Sequence, residues 1–290
     1  MPLLKGVIVP EKFTEISNNF LYCHSGVTSV EIKGAITKIG RNAFAKTSIS
    51  SFTVPETVKE ILHYAFKGCA KLESIEFNDG LEKWGTNNNR FFEEFNGCSS
   101  LKEIRIPSTV TRINEKAFSG CASMKIVDIP AAVTSIDFAD IFAGCTAIKE
   151  YNVAEDNAAY SSVDGVVYTK DGETLLVYPL GKEDASFTVA SGAEIIGEKA
   201  FENARYLKEI FLADVIEIDD GAFANSAVTT VSGDKLAYVG DEAFKDVSTL
   251  IGIDLQAAEY IGADPASPKL LSATTQNSSA DSRLRTALPL

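Results

Sequence analysis

This chain of 290 residues is poor in the residue types and motifs on which most catalytic and metal sites depend. Its two histidines, His24 and His63, lie in different parts of the sequence and have no metal-ligand spacing between them. The sequence contains no Gly-x-Ser-x-Gly, Gly-x-x-x-x-Gly-Lys or His-Glu-x-x-His motif. The acidic residues 217–221 lack the length and the terminal Glu of a calcium loop. We therefore predict no enzyme activity, no catalytic residue, no metal and no cofactor.

Long apolar runs and an excess of basic residues are also missing. No run approaches the roughly 20 apolar residues that cross a bilayer. The 27 Lys and Arg residues are outnumbered by 40 Asp and Glu residues, which gives a formal net charge of −13. Phosphate backbones and anionic membranes attract clustered basic residues. The composition therefore predicts neither nucleic-acid binding nor membrane insertion, and it favours a basic protein surface as a partner.

The five cysteines have no Cys-x-x-Cys zinc spacing, and each follows a Phe by three residues. Other copies of the same pattern carry small residues at that position. We therefore interpret the cysteines as buried free thiols. They are Cys23, Cys69, Cys98, Cys121 and Cys145.

What the sequence has in abundance is one short pattern, repeated about eleven times. Most gaps between the recurring Phe residues are 21 to 24 residues long. A fixed period of this size indicates a solenoid, in which each repeat, or rung, buries its apolar side against its neighbours. The recurring positions are Phe20, Phe44, Phe66, Phe95, Phe118, Phe142, Phe201, Phe223 and Phe244.

Each rung begins with a pattern typical of a half-buried strand, seen most clearly from Leu101 to Ile106, where Leu-x-x-Ile-x-Ile ends in period-two alternation. One strand per rung predicts a parallel sheet. The rest of the rung, for example Val110, Ile113 and Phe118, predicts extended pieces with a short helical or 3₁₀ turn. The strands are expected to begin near Leu4, Val27, Ile49, Leu72, Leu101, Met124, Ile148, Asp184, Leu207, Val228 and Leu250.

Two insertions interrupt the repeat. Phe142 and Phe201 are 59 residues apart, and Asp171-Gly172 between apolar runs predicts a β-hairpin near residues 157–182, within an insertion at 154–183. It is either a structural brace or a binding or dimerisation element. A shorter insertion of about six residues lies between Leu81 and Phe95. It either contributes to recognition or is a solvated turn with Trp84 and Phe91 packed beneath it.

The repeats from Leu101 to Cys121 and from Met124 to Cys145 resemble leucine-rich repeats of the BspA-like class. The match covers roughly residues 3–262, and residues 157–182 resemble a hairpin insertion common in that family. The resemblance implies a right-handed curved solenoid with a parallel sheet. It further implies a non-catalytic protein at the cell surface or secreted, used for protein binding and adhesion, with host or extracellular-matrix proteins as candidate ligands.

The outward positions of the predicted strands are the candidate ligand-binding face. They are mostly acidic or hydroxylated, with Arg105, Ile126 and Phe211 as exceptions. Exposed aromatic residues or Arg among small polar neighbours are typical of interface hot spots. The candidate binding residues are Glu76, Glu103, Arg105, Ile126, Asp128, Asn152, Phe211 and Trp84.

Residues 1–262 are predicted to form the solenoid, and residues 263–290, rich in Ser, Ala, Thr and Pro, a disordered tail or linker. The first rung begins without a polar cap, which suggests a piece of a longer protein. Two alternatives to protein binding remain open. One is a carbohydrate-binding face that uses Phe211, Trp84 or the hairpin tyrosines, and the other is a structural spacer that displays another domain.

Overall fold

The chain forms a parallel-strand β-solenoid with almost no helix, as the repeat predicts. The structure, a computed structural model, describes residues 4–78, 80–84, 90–114 and 116–262, and for residues 90–92, 114 and 139 only the backbone. The predicted tail at 263–290 lies outside the described residues. The described chain divides between Ser162 and Val163 into an N-terminal unit and a C-terminal unit.

In the N-terminal unit, the predicted strands form one column, the first-strand column. Each strand begins about two residues after the leucine-like residue that marks its rung, and Pro10 and Pro130 directly follow two of the strands. The fifth rung contributes only a parallel bridge from Arg105 to Asp128. The strands are Gly6–Val9, Ser29–Ile32, Ser51–Thr53, Ser74–Glu76, Ile126–Ile129 and Glu150–Val153.

A second column of very short parallel strands runs through the other half of each rung. Its buried residues are the Ile of the Val-x-x-Ile pattern, and its outward residues form pairs such as Glu15 with Lys38 and Lys38 with Glu60. The insertion after Trp84 divides this column into two sheets. The strands are Glu15–Ile16, Lys38–Ile39, Glu60–Ile61 and Lys83–Trp84, then Arg90–Phe92, Arg112–Asn114 and Ser135–Ile136.

The C-terminal unit repeats both columns. Its first-strand column is Ser186–Thr188, Glu209–Phe211, Thr230–Ser232 and Gly252–Ile253. Its second column is Thr174–Val177, Ile195–Ile196, Glu217–Ile218, Tyr238–Val239 and Tyr260–Ile261.

The predicted hairpin is present in the C-terminal unit. Val166–Thr169 pairs antiparallel with Thr174–Val177, and the turn closes with a hydrogen bond from Gly172 N to Thr169 O at 2.9 Å. Thr174–Val177 also pairs with Ile195–Ile196, so the hairpin supplies a strand of the second column. Within this unit the insertion therefore takes the place of a rung. A further strand, Tyr160–Val163, ends at the boundary between the units.

Asn157 fixes the start of the insertion in the N-terminal unit. Its side chain is fully buried, and its Nδ2 donates to Pro130 O at 3.0 Å and to Val133 O at 2.8 Å. Its Oδ1 accepts from the amides of Ala159 and Tyr160, each at 2.9 Å. One amide side chain thus satisfies four backbone groups and joins the previous rung to the insertion.

The turns replace the predicted helical segments. Among the described residues the single α-helix is Phe138–Ile141. In the other rungs the chain turns through two residues of positive φ, one two positions before the recurring Phe and one two positions after it. In the N-terminal unit these residues are Asn19, Asn42, Tyr64, Glu93 and Lys116, then Cys23, Lys46, Gly68, Gly97 and Gly120. The rung with the helix keeps only the second position, at Gly144.

These turns correct the predicted alignment of the first rung by one residue. Leu21, not Phe20, lies midway between the positive-φ residues Asn19 and Cys23. Leu21 is buried and its N donates to Ala43 O at 2.8 Å, as Phe44 N does to Ala65 O, whereas Phe20 is exposed. Cys23 therefore occupies a turn position and is exposed, so its assignment as a buried thiol is wrong.

Stacked aromatic rings form the centre of both units. In the N-terminal unit the recurring Phe rings from Phe44 to Phe142 lie 5.6 to 6.0 Å apart between centroids. In the C-terminal unit Phe201, Phe223 and Phe244 stack at 4.9 and 5.1 Å. Tyr178 of the hairpin extends this second stack at 5.0 Å from Phe201. Offset aromatic contacts of this kind add to the hydrophobic energy of burial.

The four other cysteines are buried beside the Phe stack as predicted, and each thiol donates to the carbonyl of a Phe in the preceding rung. The distances from Sγ to O are 3.0 to 3.2 Å. Burial raises the pKa of each of these thiols, that of Cys145 to about 12. The pairs are Cys69 with Phe44, Cys98 with Phe66, Cys121 with Phe95, and Cys145 with Phe118.

Candidate ligand-binding face

Six of the predicted binding residues lie on the outward side of the first-strand column in the N-terminal unit. Arg105, Asp128 and Asn152 are direct register partners across three successive rungs. Ile126 lies two residues before Asp128 on the same side of its strand and pairs with Glu150. All six side chains are exposed. We call this surface the outer patch, formed by Glu76, Glu103, Arg105, Ile126, Asp128 and Asn152.

The repeat places these side chains together because parallel strands in register bring equivalent residues to neighbouring positions. Lys102 N donates to Glu73 O at 3.1 Å, which links the fourth rung to the fifth three residues before Glu76 and Arg105. Lys102 Nζ also pairs with Glu73 Oε2 at 2.5 Å. This hydrogen-bonded ion pair lowers the pKa of Glu73.

The charged side chains of the outer patch are mainly acidic. Asn152 Nδ2 donates to Asp128 Oδ1 at 3.0 Å, and Thr53 Oγ1 donates to Glu76 Oε2 at 3.3 Å. Within the described part of the chain, the Arg105 guanidinium has no carboxylate within ion-pair distance. It is therefore available to a ligand, as is Ile126, which is 40% exposed. A cation and an apolar side chain thus lie among carboxylates.

Phe211 is exposed on the equivalent face of the C-terminal unit. It pairs with Thr188 on one side and Ser232 on the other, and both neighbours are small and polar. Its side chain is 43% exposed. Phe211 is therefore an exposed apolar side chain on the surface of its own unit.

Trp84 is not on a binding surface. Its side chain is 1% exposed and its ring packs edge-on against Phe77, with the centroids 5.1 Å apart. Its assignment as a ligand-binding residue is therefore wrong, because it fills the core position of the second column. The side chain of its neighbour in the insertion, Phe91, lies outside the described residues.

The hairpin tyrosines are also unavailable as sugar-stacking residues. Tyr168 and Tyr178 are buried, and Tyr160 is half-buried, with its hydroxyl accepting from Ile136 N at 2.8 Å. Burial raises the pKa of all three phenols. Of the aromatic residues considered for a carbohydrate face, Phe211 alone is exposed.

A cleft in the C-terminal unit was not predicted, because the second strand column that forms it was not recognised. It has a volume of about 390 Å³ and is lined by Tyr238 and Tyr260, which are register partners, together with carboxylates. Partial burial, followed by the neighbouring carboxylates, raises the pKa of Asp219. The acidic residues are Glu198, Glu217, Asp219 and Asp220.

The described residues contain no cluster of side chains placed to hold a metal ion and no helix that could cross a membrane. No group of three or more His, Cys, Asp or Glu side chains there is arranged to hold a metal ion. His63 instead contacts Glu94, with Nδ1 3.0 Å from Oε1. Across the same residues, none of the helices has the length and apolar character needed to cross a bilayer.

The chain belongs to the BspA-type leucine-rich-repeat family. The family model matches six copies, at residues 3–91, 91–162 and 183–267. The residues left between the last two matches, 163–182, contain the hairpin. This family is typical of bacterial surface proteins, and leucine-rich repeats are generally non-enzymatic scaffolds that bind protein partners.

Solved structures share the fold. A leucine-rich repeat protein from Eubacterium ventriosum aligns with a TM-score of 0.63 and 23% identity, over 86% of this chain and 65% of that one. A leucine-rich cell surface protein from Faecalibacterium prausnitzii aligns with a TM-score of 0.53 and 23% identity, over 87% of this chain and 60% of that one. The pneumococcal vaccine antigen PcpA aligns with a TM-score of 0.52 and 18% identity, over 86% of this chain and 61% of that one.

The chain thus spans less than two thirds of the length of each of these three proteins. None of the curated proteins compared with the chain is significantly similar to it.

Proposed function

We propose that the chain is a non-catalytic interaction module, at the cell surface or secreted, that binds a protein ligand through the outer patch. The observation that carries the proposal is the position of Arg105 and Ile126, exposed on neighbouring rungs among acidic side chains. Interface hot spots are enriched in Arg and lie where neighbouring contacts exclude water, which an apolar side chain such as that of Ile126 helps to do. The family supports a protein ligand and a cell-surface location.

The charge of the patch indicates the kind of ligand. Glu76, Glu103 and Asp128 favour a partner with a basic rim, whose association slows as salt rises. One carboxylate on that partner would meet Arg105, and an apolar side chain would cover Ile126. Host or extracellular-matrix proteins with such a surface are the proposed partners.

Carbohydrate binding on the same face has less support, since Trp84, Tyr168 and Tyr178 are buried. A structural spacer without a ligand would not depend on the charge or shape of the outer patch. It predicts that charge reversal in the patch changes no binding.

The test is equilibrium binding of the purified chain to a panel of purified extracellular-matrix proteins at physiological salt, with Arg105→Glu beside the wild type. Arg112→Glu is the matched control. It makes the same charge change at an exposed Arg of the second column in the same unit. Saturable binding to one protein that Arg105→Glu weakens about tenfold, and Arg112→Glu does not, supports the proposal. Binding unaffected by both, or no binding to the panel, contradicts it.

A further inference from the structure

A small notch opens on the turn side of the N-terminal unit, away from the strands of the outer patch. The backbone hydrogen bonds of the turns align Tyr22, Ala45 and Lys67 as equivalent residues of three successive rungs, each directly after the core Leu or Phe. Ala45 is the smallest of the three, so a gap of about 250 Å³ remains between its neighbours. Arg41, Asn42, Lys46 and Tyr64 complete its walls.

Two cations line this notch without a carboxylate partner. The Arg41 guanidinium lies 4.8 Å from the centre of the Tyr64 ring, and Lys46 Nζ lies 5.5 Å from the centre of the Tyr22 ring. In the described ranges of the chain, neither cation has an Asp or Glu within ion-pair distance. The third cation, Lys67, is paired with Glu93. A chain with a net charge of −13 thus places two uncompensated positive charges on one concave site.

Three backbone amides of the middle rung at the notch already donate to the next rung. Asn42 N donates to His63 O at 3.2 Å, Phe44 N to Ala65 O at 2.9 Å, and Lys46 N to Lys67 O at 2.8 Å. Peptides that bind by strand addition need unpaired backbone groups. These three amides are therefore not free to pair with an added strand, and the notch offers side chains for recognition.

The side chains present fit a charged sugar. Guanidinium and ammonium groups bind carboxylate and sulfate oxygens through charge-assisted hydrogen bonds. Tyr22 is 40% exposed, and its ring and hydroxyl can contact the apolar face and the hydroxyls of a pyranose. The volume suits a single ring, since pockets for whole drug-sized ligands span about 300–1,000 Å³.

We propose that this notch binds one anionic sugar residue, a hexuronate or a sulfated hexose, within a larger glycan. The site is separate from the outer patch, so the two proposals succeed or fail independently.

The test is binding of a heparin tetrasaccharide, which carries sulfate and hexuronate groups, to the full chain at physiological salt. The first variant is Arg41→Gln with Lys46→Gln. Its matched control is Lys5→Gln with Lys125→Gln, which removes the same charge from exposed positions of the same unit. A second variant, Ala45→Leu, fills the notch and leaves the charge unchanged. A thermal melt of each variant verifies folding, and poly-glutamate of similar charge is the competing anion.

The expected result is saturable binding that falls at least about tenfold in the Arg41/Lys46 variant and in a folded Ala45→Leu, and less than about twofold in the control pair. The proposal is overturned by the absence of saturable binding, or by equal losses in the Arg41/Lys46 variant and the control pair. It is also overturned if poly-glutamate displaces the tetrasaccharide at equal charge concentration. That result would mean that the notch recognises negative charge alone, as on an acidic protein.

Discussion

The thiol of Cys121 donates to the carbonyl oxygen of Phe95, in the preceding rung, at 3.2 Å. The same contact joins three other Cys–Phe pairs in the N-terminal unit. Each of these carbonyls also accepts from the backbone amide three residues later in its own rung, so the thiol adds a second hydrogen bond to an acceptor beside the Phe stack. This contact gives the cysteines a structural role that needs no disulfide.

Thiol reactivity separates Cys23 from the rest. Thiolates are the reactive species, and burial raises the pKa of the other four thiols, whereas Cys23 is exposed. We expect Ellman's reagent to titrate one thiol rapidly in the native protein and all five in guanidinium. Cys23→Ser should remove the rapid reaction. Two or more rapidly reacting thiols in the native wild type would contradict the buried positions.

Phe118→Ala should lower the free energy of unfolding by about 3–5 kcal/mol, because the ring is fully buried between Phe95 and Phe142. Cys121→Ala should cost less, about 1–2 kcal/mol, since it removes a smaller side chain and one weak hydrogen bond. Denaturant unfolding of both variants measures the difference. A cost below about 1 kcal/mol for Phe118→Ala would mean that the stack does not stabilise the fold.

Glu94 makes a buried contact with His63. It takes the place of the Ala that precedes the recurring Phe in most rungs, is fully buried, and lies 3.0 Å from His63 Nδ1. Loss of a buried side-chain hydrogen bond costs about 1–3 kcal/mol, so Glu94→Ala should lower the free energy of unfolding by about that amount. The control is Glu82→Ala, which breaks an exposed pair with Lys59 at 3.4 Å and should cost under about 1 kcal/mol. Equal unfolding midpoints for the two variants would be the contrary result.

Asp219 should make the C-terminal unit less stable as pH rises. Burial and nearby carboxylates raise its pKa above the ordinary 3.8, so the folded state holds the proton more tightly than the unfolded state. Its stabilising contribution is therefore complete below about pH 4 and is lost as pH rises through the raised pKa. Asp219→Asn should raise the melting temperature at pH 7 and leave it unchanged at pH 3. The gain should be under about 1 kcal/mol, because the carboxyl is partly exposed to solvent. An equal gain at both pH values would show that charge is not the cause.

The sequence predicts the first strand column and the outer patch because period-two alternation defines both faces of a strand. The alternation and the repeat spacing alone are enough to place Arg105 and Asp128 side by side. The second column could not be predicted, since strands such as Glu60–Ile61 are too short to show alternation. The shift in the first rung arose because Phe20 and Leu21 are both apolar, and only the turn geometry distinguishes them.

The notch and the burial of Trp84 could not be predicted from the sequence for a different reason. Tyr22, Arg41 and Tyr64 are far apart in the chain and meet only through the stacking of rungs. Trp84 lies where the repeat is interrupted, so its burial depends on Phe77 in the strand region before it. Interrupted positions lack the periodic pattern from which burial is predicted.

The central claim is that a protein ligand covers Ile126 and Arg105 of the outer patch. The most direct test is the dissociation constant of Ile126→Ser for the ligand identified by the panel, measured by calorimetry. Its control is Ile251→Ser, which removes an even more exposed Ile, 80% against 40%, from the C-terminal unit. We predict at least about tenfold weaker binding for Ile126→Ser and no change for Ile251→Ser. Equal affinities for the wild type and Ile126→Ser would contradict the claim.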